Sequence, residues 1–152
     1  MLVKLFKKEP DSGKMIDIVG AIDERRDWFG CTSRWSLLEV ARALKKDGKP
    51  KDLIELNVKE LRRHRIALID VTRAILSNSE SMIALHDIYA SDALHAATFT
   101  SVASRRRLDA MLSDDRHFQR LGRIVKVVTL NEKSVNAAGS SSRRGLESRF
   151  GK

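Results

Sequence analysis

Three acidic residues each follow an apolar run and open a helix-like segment: Glu39 in FGCTSRWSLLEVARAL, Asp92 in IYASDALHAATF and Asp115 in AMLSDDRHF. Where strands alternate with helices, that position is the carboxyl edge of the sheet, and turns from separate stretches converge there on one ligand crevice. Carboxylates gathered in one crevice repel each other unless a cation neutralises them. The pattern therefore predicts a divalent metal, most simply Mg²⁺ or Mn²⁺ held through oxygen.

Each acid also has an ordinary structural explanation. Ser36-Leu37-Leu38-Glu39 has the S-x-x-E form of a capping box, in which the serine and the glutamate satisfy free backbone donors at a helix start. Ser91-Asp92 opens a helix, where the dipole favours a carboxylate. Asp114 and Asp115 lie between a strand and a helix, so one of them is expected to be an N-cap. His95, three residues beyond Asp92, falls on the same helix face. His64, His86 and His117 show no ligand spacing, and Cys31 reads as a core residue. The chain has no G-x-S-x-G elbow, no G-x-G-x-x-G and no P-loop, which argues against a serine hydrolase and against dinucleotide or P-loop nucleotide binding. Aromatic residues make up 5%, with no evident platform for stacking bases.

The elements that must position these acids follow from periodicity. Residues 2–6 fit one helical turn, broken at Glu9-Pro10. Met15, Ile18, Val19 and Ile22 share a face and predict a helix over 14–26. A strand is expected at 28–32, then a helix over 36–46 with Leu37, Val40, Ala41 and Leu44 on one stripe. A turn at DGKP and a helix over 52–64 follow, then a buried strand at 66–71. Further helices are expected at 72–87 and 91–104, a strand at 108–112, a short helix at 116–121 and a final strand at 124–130. Such alternation predicts a mostly parallel α/β sheet covered on both faces. The domain is expected to span residues 1–133, followed by a basic, disordered tail over 134–152.

The chain has 152 residues, 42% of them hydrophobic, which suits a single globular domain. Its one cysteine excludes a disulfide framework and a Cys-rich metal site, and fits a cytoplasmic setting. No apolar run approaches the roughly 18 residues that span a bilayer, and MLVKLFKKEP is charged too early for a signal peptide. The net charge of +9 favours a polyanionic partner. Basic residues cluster at 45–51, 62–65, 105–107 and 143–149. An acidic triad in a basic chain fits a metal site acting on phosphates, with positive charge holding the strand that carries them.

From LVKLFKKEP to KVVTL, the chain resembles the PIN-domain ribonucleases, especially VapC-like toxins of toxin–antitoxin pairs. LVKLFKKEPDSGK resembles the family's first helix and following loop, and SRWSLLEVARAL the segment carrying its second acid, at Glu39. YASDALHAA, the most specific stretch, resembles the D-A-L-H-x-A motif and places the third acid at Asp92. LSDDRHFQRL resembles the T-x-D segment, with Ser113 in the Thr/Ser position and the fourth acid at Asp115; Asp114 is the alternate if the register slips by one. The resemblance implies a three-layer α/β fold and an endoribonuclease that hydrolyses RNA phosphodiesters. Glu39, Asp92 and Asp115 would be its catalytic metal ligands for Mg²⁺ or Mn²⁺. It also implies a small antitoxin partner and a homodimer.

One departure stands out. The family begins with a central strand ending in an aspartate, whereas this chain opens at Met1-Leu2-Val3-Lys4-Leu5. The first strand and first acid are therefore expected to be missing, which would deprive both neighbouring strands of a pairing partner and the metal of a ligand. Two explanations follow: a coding start lying upstream, with a GTG valine codon read as Met1, or a truncated, inactive module that binds RNA or protein without cutting.

Overall fold

A computed structural model describes residues 1–122 and 124–130. The chain is mixed α/β, and the described residues form five α-helices, two short 3₁₀ segments and four short strands. After a 3₁₀ turn at Leu2–Leu5 come α1 (Ser12–Glu24), β1 (Gly30–Ser33), α2 (Trp35–Lys46) and α3 (Lys51–Leu61). Then follow β2 (Ile66–Ile69), α4 (Arg73–His86), α5 (Ala90–Ala103), β3 (Met111–Leu112), a 3₁₀ segment at Arg116–Leu121 and β4 (Val127–Val128). The element order matches the periodicity throughout. The expected tail over 134–152 lies outside the described residues.

Local chemistry sets several boundaries. Thr72 caps α4, its Oγ1 accepting a hydrogen bond from the Ile75 amide at 3.3 Å. The same helix ends on Asp87, held in the left-handed region at φ 48. A Cβ at Gly30 would lie 2.6 Å from the Ile22 side chain, so glycine there lets α1 lie close against β1.

The strands form two separate parallel pairs. β1 pairs with β2 from Gly30↔Ile66 to Ser33↔Ile69, and β3 pairs with β4 at Met111↔Val127 and Leu112↔Val128. Among the described residues no backbone hydrogen bond joins one pair to the other. Apolar packing nonetheless spans both. Ile66 of β2 and Leu112 of β3 enter one cluster, built on Met15, Val19 and Ile22 of α1 and closed by Leu130. Ile69 of β2, Met111 of β3 and Val127 of β4 enter another, built on Ile75 and Met82 of α4 and Ala93, Ala96 and Ala97 of α5. Side chains alternate across a strand, so Ile66 and Ile69 point to opposite faces, as do Met111 and Leu112. The two pairs thus present matching faces to the same helices while lacking a shared ladder. A third cluster joins Leu37, Val40 and Leu44 of α2 to Leu61 of α3 and includes Leu68 of β2.

The strands are shorter than their apolar runs. IVKVVTL covers seven residues, but only Val127 and Val128 are paired. A parallel ladder extends only as far as its partner does, and β3 offers two residues.

Candidate metal centre

Of the acidic residues, Asp115 lies just past the carboxyl end of a strand, β3, whereas Asp92 opens a helix that follows another helix, and Glu39 lies inside α2. Asp92 lies in the first turn of α5, which starts at Ala90 with no side-chain cap, so its carboxylate faces the helix N-terminus without capping it. Asp115 sits between β3 and the following 3₁₀ segment. Its amide donates to Ser113 Oγ at 3.1 Å, and its Oδ1 accepts from the His117 amide at 2.9 Å. That second contact is the expected N-cap role, and it leaves Oδ2 of Asp115 outside the cap. The tight turn also swings the His117 ring back over the carboxylates.

Ligand atoms of Asp92, Asp115 and His117 all lie within 4.8 Å of one another, and this group can hold a metal ion. His117 Nδ1 is 3.3 Å from Asp115 Oδ1 and 3.8 Å from Asp92 Oδ2. Asp92 is only 8% exposed. Its Oδ2 and His117 Nδ1 are both buried without a hydrogen-bond partner. A buried polar atom left unpaired costs about 1–3 kcal/mol, and a cation between the two would satisfy both. The donor set therefore fits a divalent metal on physical grounds. Burial, followed by the neighbouring Asp115 charge, pushes the Asp92 carboxyl above its ordinary pKa; His117 and His95 pull the other way. Tyr89 packs edge-on against the His117 ring, with centroids 4.9 Å apart, and helps fix its orientation.

Glu39 stands beside this cluster and outside it. Its Oε2 lies 2.7 Å from His95 Nε2, and its charge acts on Asp92. The capping-box explanation of Glu39 does not hold. α2 begins at Trp35 with no side-chain cap, which puts Ser36 inside the helix, where its hydroxyl meets Thr32 Oγ1 at 2.7 Å. Asp114, the alternate acid, is engaged elsewhere: Oδ2 pairs with Lys4 Nζ at 2.8 Å and Oδ1 accepts the Leu130 amide at 3.2 Å. Burial works against its ionisation, but Lys4 and that amide prevail and hold its carboxyl below the usual range. For the partly buried Met1 amine it is burial that lowers the pKa, against the pull of Glu39 and Asp114.

His117 is the residue that spacing alone did not single out. The signal was present as Asp115-x-His117, a spacing that puts two ligands on one face of a strand but not of the helix expected there. The Asp115 turn brings the two together. Cys31 is partly buried, and burial pushes its thiol above the ordinary value, which suits an inert thiol. No helix among the described residues is long and apolar enough to cross a membrane.

No family model, no curated protein and no solved structure matches the chain.

Proposed function

We propose that this chain is a metal-dependent endoribonuclease of the PIN-like, VapC-like kind, with a three-layer α/β fold and a cytoplasmic role as the toxin of a type II toxin–antitoxin pair. The observation that carries the reading is the buried pair of unpartnered ligand atoms, Asp92 Oδ2 and His117 Nδ1, with Asp115 beside them at the strand ends. Asp92, Asp115 and His117 would hold the ion. Two carboxylates suit Mg²⁺ or Mn²⁺, and the imidazole tilts the choice towards Mn²⁺. A divalent cation there would supply Lewis acidity towards a phosphate oxygen and lower the pKa of water. The Glu39–His95 pair, adjacent to the ion site, would hold or pass a proton at Glu39 Oε2 or His95 Nε2. The net charge of +9 would steer RNA to the site. A small antitoxin blocking the crevice and a homodimer complete the reading.

A second reading is an inactive PIN-like module that binds RNA or protein without cutting. It is favoured by the absence, among the described residues, of a ladder joining β1–β2 to β3–β4, which leaves the sheet behind the acids in two parts. One assay separates the two: cleavage of a labelled single-stranded RNA with Mn²⁺, with EDTA, and with the Asp92→Asn variant. The nuclease reading expects cleavage with Mn²⁺ alone. Cleavage that survives in EDTA or in Asp92→Asn removes the metal mechanism, and binding with no cleavage under any condition selects the inactive module.

A further inference from the structure

A second feature lies at the carboxyl end of the β1–β2 pair. There Arg34, Trp35, Leu37, Leu38, Arg62 and Val71 line a cavity of about 290 Å³. Arg34 follows directly on the last residue of β1 and Val71 lies two residues beyond the end of β2, so the cavity opens at the same carboxyl edge. The Arg34 amide extends the pairing by donating to the Ile69 carbonyl at 2.8 Å. Leu38, on α2, is 58% exposed. Trp35 is 40% exposed, so part of its indole is open to a ligand. Arg34 is paired with Asp70 at the surface, whereas Arg62 is exposed and makes no ion pair or side-chain hydrogen bond among the described residues.

We propose that this cavity is a nucleotide subsite for single-stranded RNA, with Trp35 stacking one base and Arg62, aided by Arg34, contacting the flanking phosphates. The inference rests on the nuclease reading for its substrate class and names where the strand lies beyond the cut. Three features select this occupant. An aromatic face joined to arginines is the pairing that single-strand binding uses, because every base has a π-face and every linkage a phosphate. The volume of about 290 Å³ lies just below the range of small-ligand pockets, roughly 300–1,000 Å³, which suits one planar group. A docked helix would instead need a row of anchors along a groove. The cationic rim also matches a polyanion, as the whole chain's charge does. The aromatic platform missing from the sequence pattern is thus supplied by a single tryptophan at a strand–helix junction.

The test uses the full chain in EDTA, where binding is read without cleavage, and a fluorescein-labelled single-stranded RNA 12-mer. Trp35→Ala should weaken binding about ten-fold or more, while Trp35→Phe retains most of the affinity. Replacing the central nucleotides by abasic sites should weaken binding to the wild-type chain and abolish the difference between it and Trp35→Ala. Arg62→Ala should lower the slope of log affinity against log salt by about one. As a check that leaves Trp35 in place, a conservative Trp28→Phe chain reports Trp35 alone, its fold being verified by circular dichroism, and its emission should be quenched by RNA. Unchanged emission at saturating RNA, or equal affinity of Trp35→Ala and the wild type, overturns the proposal. Emission that changes with protein concentration in the absence of RNA assigns the cavity to a second copy of the chain and overturns it too. Failure of Mn²⁺-dependent cleavage with Trp35-dependent binding intact would remove the nuclease reading and leave the subsite.

Discussion

Two carboxylate–histidine clusters in this molecule share residue types and differ in nearly everything else. At the C-terminal end of α1, Asp23 Oδ2 lies 2.6 Å from His64 Nδ1 and Oδ1 accepts the Arg65 amide at 2.7 Å, while the Arg65 guanidinium donates to the Asp23 carbonyl at 3.1 Å. Both oxygens are satisfied. Burial raises the Asp23 pKa, but the Arg65 amide and His64 outweigh it, and the carboxyl ends below its usual range. At the strand ends, Asp92 and His117 each keep a buried atom without a partner, a second carboxylate stands beside them, and the Asp92 carboxyl is raised. The first cluster is a clamp that ties α1 to the start of β2. The second stores unfavourable electrostatics that only a cation or a proton relieves. Hydrogen-bond saturation separates a self-satisfied cluster from one that can still take a ligand here, and residue composition does not.

That contrast breaks first, and most visibly, at Asp92. Asp92→Asn should lower Mn²⁺-dependent RNA cleavage by about 10²–10³-fold, yet raise the melting temperature of the metal-free protein at pH 7, because it removes a buried charge held near another. Asp23→Ala should do the reverse: cleavage stays near wild type while stability falls by about 1 kcal/mol for the lost charged hydrogen bonds. Cleavage rates set beside calorimetric melts of the two variants check both, and a destabilised Asp92→Asn protein would sink the distinction.

Metal binding sharpens it further. Mn²⁺ at a hundred times its dissociation constant should stabilise the folded chain by about 2.7 kcal/mol. The shift should be retained in Asp23→Ala and lost in Asp115→Asn and His117→Ala. Thermal melts across a Mn²⁺ series read this directly, and a shift that persists without Asp115 and His117 places the ion elsewhere.

The smallest effect lies in the pH dependence, where the two clusters should carry opposite signs. The folded pKa of Asp92 is raised, so its favourable contribution is full below the unfolded value of about 3.9 and is lost as pH rises through the folded one. The stability gained by Asp92→Asn should therefore grow as pH rises above about 4. The folded pKa of Asp23 is lowered, so its contribution is present above about 3.9 and disappears as pH falls through the folded value. The loss caused by Asp23→Ala should then be constant at neutral pH and shrink in acid. Difference melts from pH 3 to 7 in metal-free buffer test both curves; parallel curves would mean that neither carboxyl titrates as its surroundings imply.

The order of elements was legible because each helix has a 3.6-residue apolar stripe and each strand a short apolar run. Their lengths were less so, since a strand ends where its partner ends. Ile124–Leu130 reads as one strong strand, yet β3 leaves only Val127 and Val128 paired. Glu39 shows the same limit at the level of a site. Its S-x-x-E spacing suggested a cap, but α2 starts one residue before Ser36, and the glutamate meets His95, 56 residues away in sequence.

The sequence by itself determined the alternating α/β character, the basic surface charge, and the placement of acidic residues after apolar runs, because composition and periodicity are local properties of the chain. Only the tertiary structure decided which of those acids share a crevice. Asp92 and Asp115 meet with His117 through a turn that no periodicity encodes, Asp114 is drawn away by Lys4, and Glu39 is held by His95. The physical reason is that metal affinity and pKa depend on distances of a few ångströms between residues far apart in the chain, and those distances exist only once the helices have packed.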